Sequence, residues 1–121
     1  MTQKFNIIMN LDEFTRAYLC AALWSSDDGE QPLDKRYSLT DLSVPTLQRA
    51  VAECAAFQSA QYDRIQSDLT TAGYDFWLTR NGHGAGFFDG DWPSDGEALT
   101  AACGQYPSID LYVGDDGQIW S

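Results

Sequence analysis

The fold of this chain is decided by residues 74–89, YDFWLTRNGHGAGFFD, in which aromatic and aliphatic residues flank an Asn81-Gly82 dipeptide. Asn-Gly is favoured at the centre of a type I′ turn, because that turn needs a positive φ at both central positions. The dipeptide therefore predicts a β-hairpin over residues 74–89 that pairs Phe76 with Phe87 on one face. This hairpin would supply an antiparallel sheet.

The longest helical pattern covers residues 47–69. Mostly apolar side chains recur there at steps of three and four residues, as on one face of an α-helix about six turns long. They are Leu47, Val51, Cys54, Gln58, Tyr62, Ile65 and Leu69. Ser43 is suited to cap this helix, Pro45 lies within its first turn, and Gly73 is expected to end it.

Two shorter helices are predicted on either side of this long one. Asn10 can cap the first, with Glu13 completing a capping box, and turn residues after Trp24 should end it. The second covers residues 97–103, an alanine-rich segment that Gly104 ends.

A second hairpin is expected over residues 109–120, where apolar residues alternate up to Val113 and a turn follows at residues 114–117. Parity places Trp120 on the face of Leu111 and Val113. The apolar run at residues 5–9 fits either a first strand or the lead-in to a helix. These elements predict one α+β domain over residues 1–121: a small antiparallel sheet of two hairpins, with an N-terminal strand left open, packed on a long helix and one or two shorter helices.

Composition restricts the classes of partner. The chain has 18 acidic and 7 basic residues, a formal net charge of −11 and a pI of about 4.1, while 44% of its residues are hydrophobic. So few basic residues exclude a surface that binds nucleic acid directly. No apolar run approaches the roughly 20 residues of a membrane span, and the first ten residues lack the shape of a signal peptide.

The cysteines indicate a compartment. Cys20, Cys54 and Cys103 are odd in number and widely spaced, and no CxxC pair suggests zinc. The expectation is buried free thiols in a reducing cytoplasm. The acidic loops also fail the spacing of a calcium-binding EF-hand, since the fifth position counted from Asp89 is Pro93. Neither a metal nor a cofactor is expected.

Several segments carry a resemblance to a known group of proteins. They are residues 11–14 (LDEF), 18–19 (YL), 75–87 (DFWLTRNGHGAGF) and 111–117 (LYVGDDG). In these segments the chain resembles small acidic proteins of uncharacterised function that bacteriophages and plasmids encode. The resemblance implies a mobile-element origin, and with it a location in the cytoplasm of a bacterial host. It carries over no catalytic residue.

The acidic residues indicate a protein-binding surface. Most of them fall in residues 27–41, 89–97 and 110–116, where carboxylates could meet the lysines and arginines with which a partner holds phosphate. Phe88 and Trp92 are expected to be exposed and to anchor the contact, because aromatic residues dominate binding hot spots. The predicted partner-binding residues are Asp27, Asp28, Glu30, Asp34, Phe88, Asp89, Asp91, Trp92, Asp95, Glu97, Asp115 and Asp116. The alternative is an acidic surface that only keeps the protein in solution.

These observations favour an accessory protein, monomeric or homodimeric, that binds a basic host protein. The expected target is a nucleic-acid-handling defence effector, so the protein would act as an inhibitor of the anti-CRISPR or antirestriction type. A duplex as long as the domain is wide, roughly 35 Å, carries about 20 phosphates. The net charge of −11 is about half of that, which suits partial and not complete mimicry of DNA. The alternatives are a small hydrolase or transferase that uses His83 and Arg80, and a structural virion or accessory component.

Overall fold

In the computed structural model, which describes residues 3–121, most of the chain is α-helical. The helices are α1 (Gln3–Met9), α2 (Glu13–Ser25), α3 (Val44–Ile65), α4 (Leu69–Arg80) and α5 (Gly96–Cys103), with 3₁₀ turns at Leu33–Lys35 and Leu39–Asp41. In the described part of the chain the sheet consists of β1 (Tyr112–Val113) and β2 (Ile119–Trp120) alone. The α+β prediction was wrong, and the fold is mainly α. Met1 and Thr2 of the predicted domain lie outside the described residues.

The predicted hairpin over residues 74–89 is replaced by helix α4 and a loop. The carboxylate of Asp68 caps α4 by accepting a hydrogen bond from the Thr71 amide at 3.0 Å. Almost every α4 residue from Ala72 to Arg80 is buried, so its apolar side chains follow no single face. A helix buried on all sides has no amphipathic pattern, and its sequence is easily mistaken for a strand.

The glycines after α4 form a loop instead of a returning strand. Asn81 has a φ of −103°, which a type I′ turn does not allow, and its side chain donates to the carbonyl oxygen of Trp77 at 2.9 Å. Gly82, Gly84 and Gly86 all have positive φ values, and the chain folds back along α4, where the Phe87 amide donates to Thr79 Oγ1 at 3.0 Å. Asn-Gly therefore ends a helix here.

The predicted helices are confirmed, with shifted boundaries. Asp12, and not Asn10, caps α2 by accepting from the Thr15 amide at 2.8 Å. Ser43 caps α3 as predicted, but α3 ends at Ile65, before Gly73, which lies inside α4. Two positions of the predicted stripe, Val51 and Tyr62, are exposed. Helix α5 ends at Cys103, directly before Gly104, as expected.

Both chain ends differ in part from the prediction. Residues 5–9 belong to helix α1, so the optional N-terminal strand does not form. The C-terminal hairpin forms, but its strands pair Tyr112 with Trp120 and Val113 with Ile119. Because directly paired residues share a face, Trp120 lies on the side of Tyr112, and its predicted face was wrong.

The helices pack around an aromatic core. Helices α2 and α4 run in the same direction, since Glu13 bonds Thr70 near their starts and Ser25 accepts from the Trp77 indole near their ends. Helix α3 runs the opposite way, since its later residue Gln58 bonds Asp12 at the start of α2 while its earlier residue Glu53 bonds Arg80 at the end of α4. The largest fully buried aromatic side chains are Phe14, Tyr18, Phe57, Phe76 and Phe87.

Among residues 3–121, no helix is both long and apolar enough to cross a bilayer.

Candidate functional site

Arg80, one of the two candidate catalytic residues, is part of the core. Its side chain is fully buried and donates to Glu53 Oε1 at 2.8 Å, to the Tyr18 hydroxyl at 3.0 Å and to the Pro107 carbonyl oxygen. Burial alone would lower the pKa of Arg80, but Tyr18 and Glu53 outweigh it and raise that pKa above its ordinary value. The guanidinium therefore stays charged and joins three helices, with no face open to a substrate.

His83, the other candidate, is exposed on the loop after α4. It borders an open cavity of about 310 Å³ that Asp27 and Asp110 also line. Within residues 3–121, no hydrogen bond joins the imidazole to either carboxylate. The cavity hydroxyls of Ser25 and Ser108 bond an indole N–H and a backbone carbonyl. The fold therefore does not bring the predicted catalytic pair into one open site.

Burial keeps the thiols of Cys54 and Cys103 from acting as nucleophiles. All three cysteines are free; Cys54 and Cys103 are buried as expected, whereas Cys20 is only half-buried. Burial raises the pKa of the Cys103 thiol to about 12. A thiol with so high a pKa is protonated at neutral pH and reacts poorly as a nucleophile.

Asp75, Asp89 and Asp91 form a cluster of three carboxylates. One oxygen from each lies within 4.8 Å of the others, and Asp75 is only 4% exposed. Desolvation raises the pKa of Asp75 to about 6, and the charges of Asp89 and Asp91 add to that rise. Oxygen ligands of this kind suit Ca²⁺ or Mg²⁺. Asp75 also has a structural role, because its Oδ2 accepts the Trp92 indole N–H at 2.8 Å.

Trp92 is buried, and its predicted exposure was wrong. Only 7% of Trp92 is accessible, because its ring packs edge-on against Phe87 while its N–H bonds Asp75. A tryptophan surrounded by polar residues in the sequence can still be buried when a carboxylate satisfies its N–H. Phe87 in turn stacks on Phe57 of α3. Residues 87 and 92 thus fix the loop between α4 and α5 to the core.

Phe88 lies between these two buried residues and is 55% exposed, as predicted. Asp89, Asp91 and Glu97 are also exposed there. A shallow groove of about 630 Å³ runs from Phe88 past Pro93 to α5. We call Phe88, Asp89, Asp91, Glu97 and this groove the Phe88 surface. Asp95 lies close to it but is partly neutralised by Arg64, at 3.7 Å.

The other predicted acidic residues lie at the far end of the helices. Asp27 follows the end of α2 and shares the His83 cavity with Asp110, whereas Asp95 pairs with Arg64 near the end of the antiparallel α3. The fold therefore brings residues 27–34 and 110–116 towards one end and residues 89–97 towards the other. Glu30 and Asp34 are exposed, as is Asp115.

Two of these acidic residues are engaged in turns. Asp28 accepts from the amides of Gln31 and Glu30, and Asp116 accepts from the Gln118 amide and the Trp120 indole. These hydrogen bonds lower the pKa of both carboxyls.

Sequence reasoning missed three polar side chains that hold the interior together: Tyr18, Glu53 and Asp75. Glu53 could have been found, since it follows Ala50 by three residues and precedes Phe57 by four, which places it beside the buried side of α3. The burial of Asp75 was harder to foresee, because the only sign of it in the sequence is that one acidic residue directly precedes two aromatic residues.

Comparison of the chain with models of protein families found no match, and searches of curated proteins and of solved structures found none either.

Proposed function

We propose that this chain is an accessory protein of a bacterial mobile element that acts by binding a basic host protein in the cytoplasm. The target we infer is a nucleic-acid-handling defence effector, inhibited in the anti-CRISPR or antirestriction manner. The single observation that carries the proposal is the Phe88 surface, where an exposed aromatic ring stands among carboxylates beside a groove.

The Phe88 ring suits the role of an anchor. Aromatic residues are enriched at protein–protein interfaces, and the exposed Phe88 ring borders a groove that side chains of a partner could fill. Phe87 and Trp92, buried on either side, hold the loop in place before any partner arrives. A preorganised loop loses little conformational entropy on binding, so more of the contact energy appears as affinity.

The carboxylates favour a basic partner. Asp89, Asp91 and Glu97 have no basic partner within salt-bridge distance in the described part of the chain, and the nearby Arg64 pairs with Asp95. An excess of negative charge beside an apolar anchor is complementary to a groove that presents lysines and arginines. The acidic loops at the far end then add long-range attraction, which speeds encounter without direct contact.

Retention of host proteins at two salt concentrations tests the proposal. The immobilised chain should retain nucleic-acid-binding proteins from a nuclease-treated bacterial lysate at low salt and release them at high salt. Phe88→Ala should abolish this retention. Tyr112→Ala is the matched control, because Tyr112 is also 55% exposed but lies on β1. Failure to retain any such protein at low salt, or equal retention by the Phe88 variant, contradicts the proposal.

A second pair of variants tests which acidic end binds. Asp91→Asn with Glu97→Gln should weaken retention strongly, because both charges belong to the Phe88 surface. Asp34→Asn with Asp115→Asn removes the same charge at the other end and should weaken it only modestly. If the Asp34 and Asp115 substitutions weakened retention more than the Asp91 and Glu97 substitutions, the contact would lie at the end of the molecule that carries Asp34 and Asp115.

The enzymatic alternative has less support. A hydrolase or transferase that used both His83 and Arg80 would need them in one open site, yet the Arg80 side chain is fully buried and committed to Glu53, Tyr18 and Pro107.

A further inference from the structure

Helix α3 has an outward face without charge. Its exposed positions, at helical spacing, are Gln48, Val51, Ala52, Ala55, Ala56 and Ser59. The chain as a whole has a net charge of −11. Since charged groups are costly to desolvate, an uncharged face is where another protein can pack at the lowest cost.

A groove and a protruding ring occur at opposite ends of this face. The groove, of about 310 Å³, lies where α1 packs beside α3, and it is lined by Gln3, Ile7, Asn10, Gln48, Val51 and Ala52. The ring is that of Tyr62, which is 50% exposed. Tyr62 follows Val51 by eleven residues, which is close to three helical turns, so the two lie on the same side of α3.

Two residues of opposite charge lie along the edge of this face that is away from Val51 and Tyr62. Arg49 and Asp63 are fourteen residues apart, close to four turns, and both are exposed. Ala56 lies midway, seven residues or about 10 Å along the axis from each. The edge of the face therefore has a positive end and a negative end at equal distances from its centre. Arg49 also contacts Glu53 of its own helix at 3.5 Å, so in the dimer its guanidinium would be shared between Glu53 and Asp63 of the second copy.

We propose that two copies of this chain form a dimer through α3, with the two helices antiparallel about a two-fold axis close to Ala56. In this register Arg49 of each copy lies opposite Asp63 of the other. Tyr62 lies six residues beyond Ala56, so it faces position 50 of the second copy, the middle of the groove at residues 48–52. The same register therefore pairs the opposite charges and places the Tyr62 ring over the groove of the second copy.

We choose a second copy of the chain as the partner because its charges and its groove both match this face in one register. A two-fold interface requires a surface that is complementary to itself, with paired features at equal distances from one centre. The alanines at positions 52 and 55 leave room for two helix axes to approach to about 8 Å. Helix α3 has 22 residues, or about 33 Å, and with the axis at Ala56 the residues 47–65 of both copies overlap over about five turns.

The dimer leaves the Phe88 surface free. Arg64, which pairs with Asp95 beside that surface, follows Ala55 by nine residues and so lies half a turn round α3. Tyr62 and Asp63 line a cavity of about 420 Å³ together with Arg64 and Asp95, so this end of the dimer face borders Asp95 but includes no residue of the Phe88 surface. Failure of the dimer would not affect the proposed binding of a basic partner.

Mass measurement tests the dimer. Size-exclusion chromatography with light scattering should give twice the 13.4 kDa chain mass. Ala55→Glu should convert the protein to a monomer, because it places two like charges at the two-fold axis. Ala98→Glu, at an exposed position of α5, is the matched control and should remain dimeric. Circular dichroism should show equal helix content in both variants. A wild-type monomer at every concentration, or a dimeric Ala55→Glu variant, overturns the proposal.

Charge reversal tests the antiparallel register. Arg49→Asp alone and Asp63→Arg alone should each weaken the dimer about tenfold, since each puts like charges opposite one another at two places. The double variant exchanges the two charges and should restore the wild-type dissociation constant. Double-variant affinity no better than that of the single variants rules out this register.

Discussion

At the residue scale, Arg80 and Glu53 show how a charged pair holds this fold together. The Arg80 side chain is fully buried, and the Glu53 side chain is 23% exposed. Glu53 also receives a longer contact from Arg49, at 3.5 Å. Because Arg80 reaches Tyr18 on α2, Glu53 on α3 and the Pro107 carbonyl, one guanidinium connects parts of the chain that are far apart in sequence.

Replacing Glu53 should destabilise the protein strongly. Glu53→Ala leaves the buried guanidinium of Arg80 without its carboxylate, and breaking one partner of a buried pair costs about 3 kcal/mol. Urea denaturation should show this loss in the free energy of unfolding. Glu97→Ala removes an exposed carboxylate and should change it by less than about 0.5 kcal/mol. Equal effects of the two substitutions would refute the structural role of the pair.

Asp75 is a buried acid whose ionisation opposes folding. Desolvation raises the pKa of Asp75 to about 6, against an ordinary value of 3.8. The folded state therefore binds its proton more tightly than the unfolded state does. Between about pH 4 and pH 6 this group loses its stabilising effect as the pH rises, which is the reverse of a carboxylate in a salt bridge.

Asp75→Asn should accordingly stabilise the protein at neutral pH. The amide oxygen can still accept the Trp92 N–H, and its NH₂ group can face Asp89 and Asp91. The gain at pH 7 should approach about 3 kcal/mol and vanish near pH 4, as a shift of about two pKa units implies. Denaturant titrations at a series of pH values measure it, with Asp63→Asn as the exposed control. A gain independent of pH would contradict the assignment.

At the scale of the element, α4 is the central helix. Gly73 lies where α4 crosses α2, and a Cβ built on it would meet the Phe14 carbonyl oxygen at 2.2 Å and the Ala17 Cβ at 2.9 Å. The missing side chain therefore sets the distance between the two helices. The sequence suggested instead that Gly73 ends a helix, because glycine is common at helix C-termini and its neighbours in space were not visible.

Gly73→Ala should force α2 and α4 apart. Although alanine favours helix more than glycine does, overpacking against a backbone carbonyl should cost about 2–3 kcal/mol net. Thermal denaturation should therefore show a lower Tm. Gly104→Ala is the control, because Gly104 is exposed, has a φ of −61° that alanine adopts readily, and its Cβ would meet the Ala101 carbonyl oxygen only at 3.1 Å, against 2.2 Å for the contact at Gly73. A Gly73 variant as stable as wild type would show that the contact is not tight.

At the scale of the whole molecule, negative charge opposes the compact state. With 18 acidic and 7 basic residues, much of the surface repels itself, and four of the arginines are already used in ion pairs. Two surfaces differ from the rest of this negatively charged molecule. The dimer face on α3 lacks charge, and the Phe88 surface combines negative charge with an exposed ring.

Added salt should therefore stabilise the protein. Raising the ionic strength from about 0.01 M to about 0.15 M shortens the screening length from about 30 Å to about 8 Å. Repulsion across the molecule is then screened, and Tm should rise by about 3 °C or more. The Asp34→Asn, Asp115→Asn variant, with less charge, should respond less. A Tm that does not change with salt would show that self-repulsion is negligible.

The sequence by itself determined the features that depend on local chemistry. Ser43 and Pro45 predicted the start of α3, the spacing of its side chains predicted its helical state, and the exposure of Phe88 was also predicted correctly. Tertiary structure alone decided helix α4, the burial of Trp92 and the pairing of Arg80 with Glu53. The physical reason is that these depend on what surrounds a residue: a helix buried on every side loses its amphipathic pattern, and a polar or charged group can be buried only where a distant residue satisfies it.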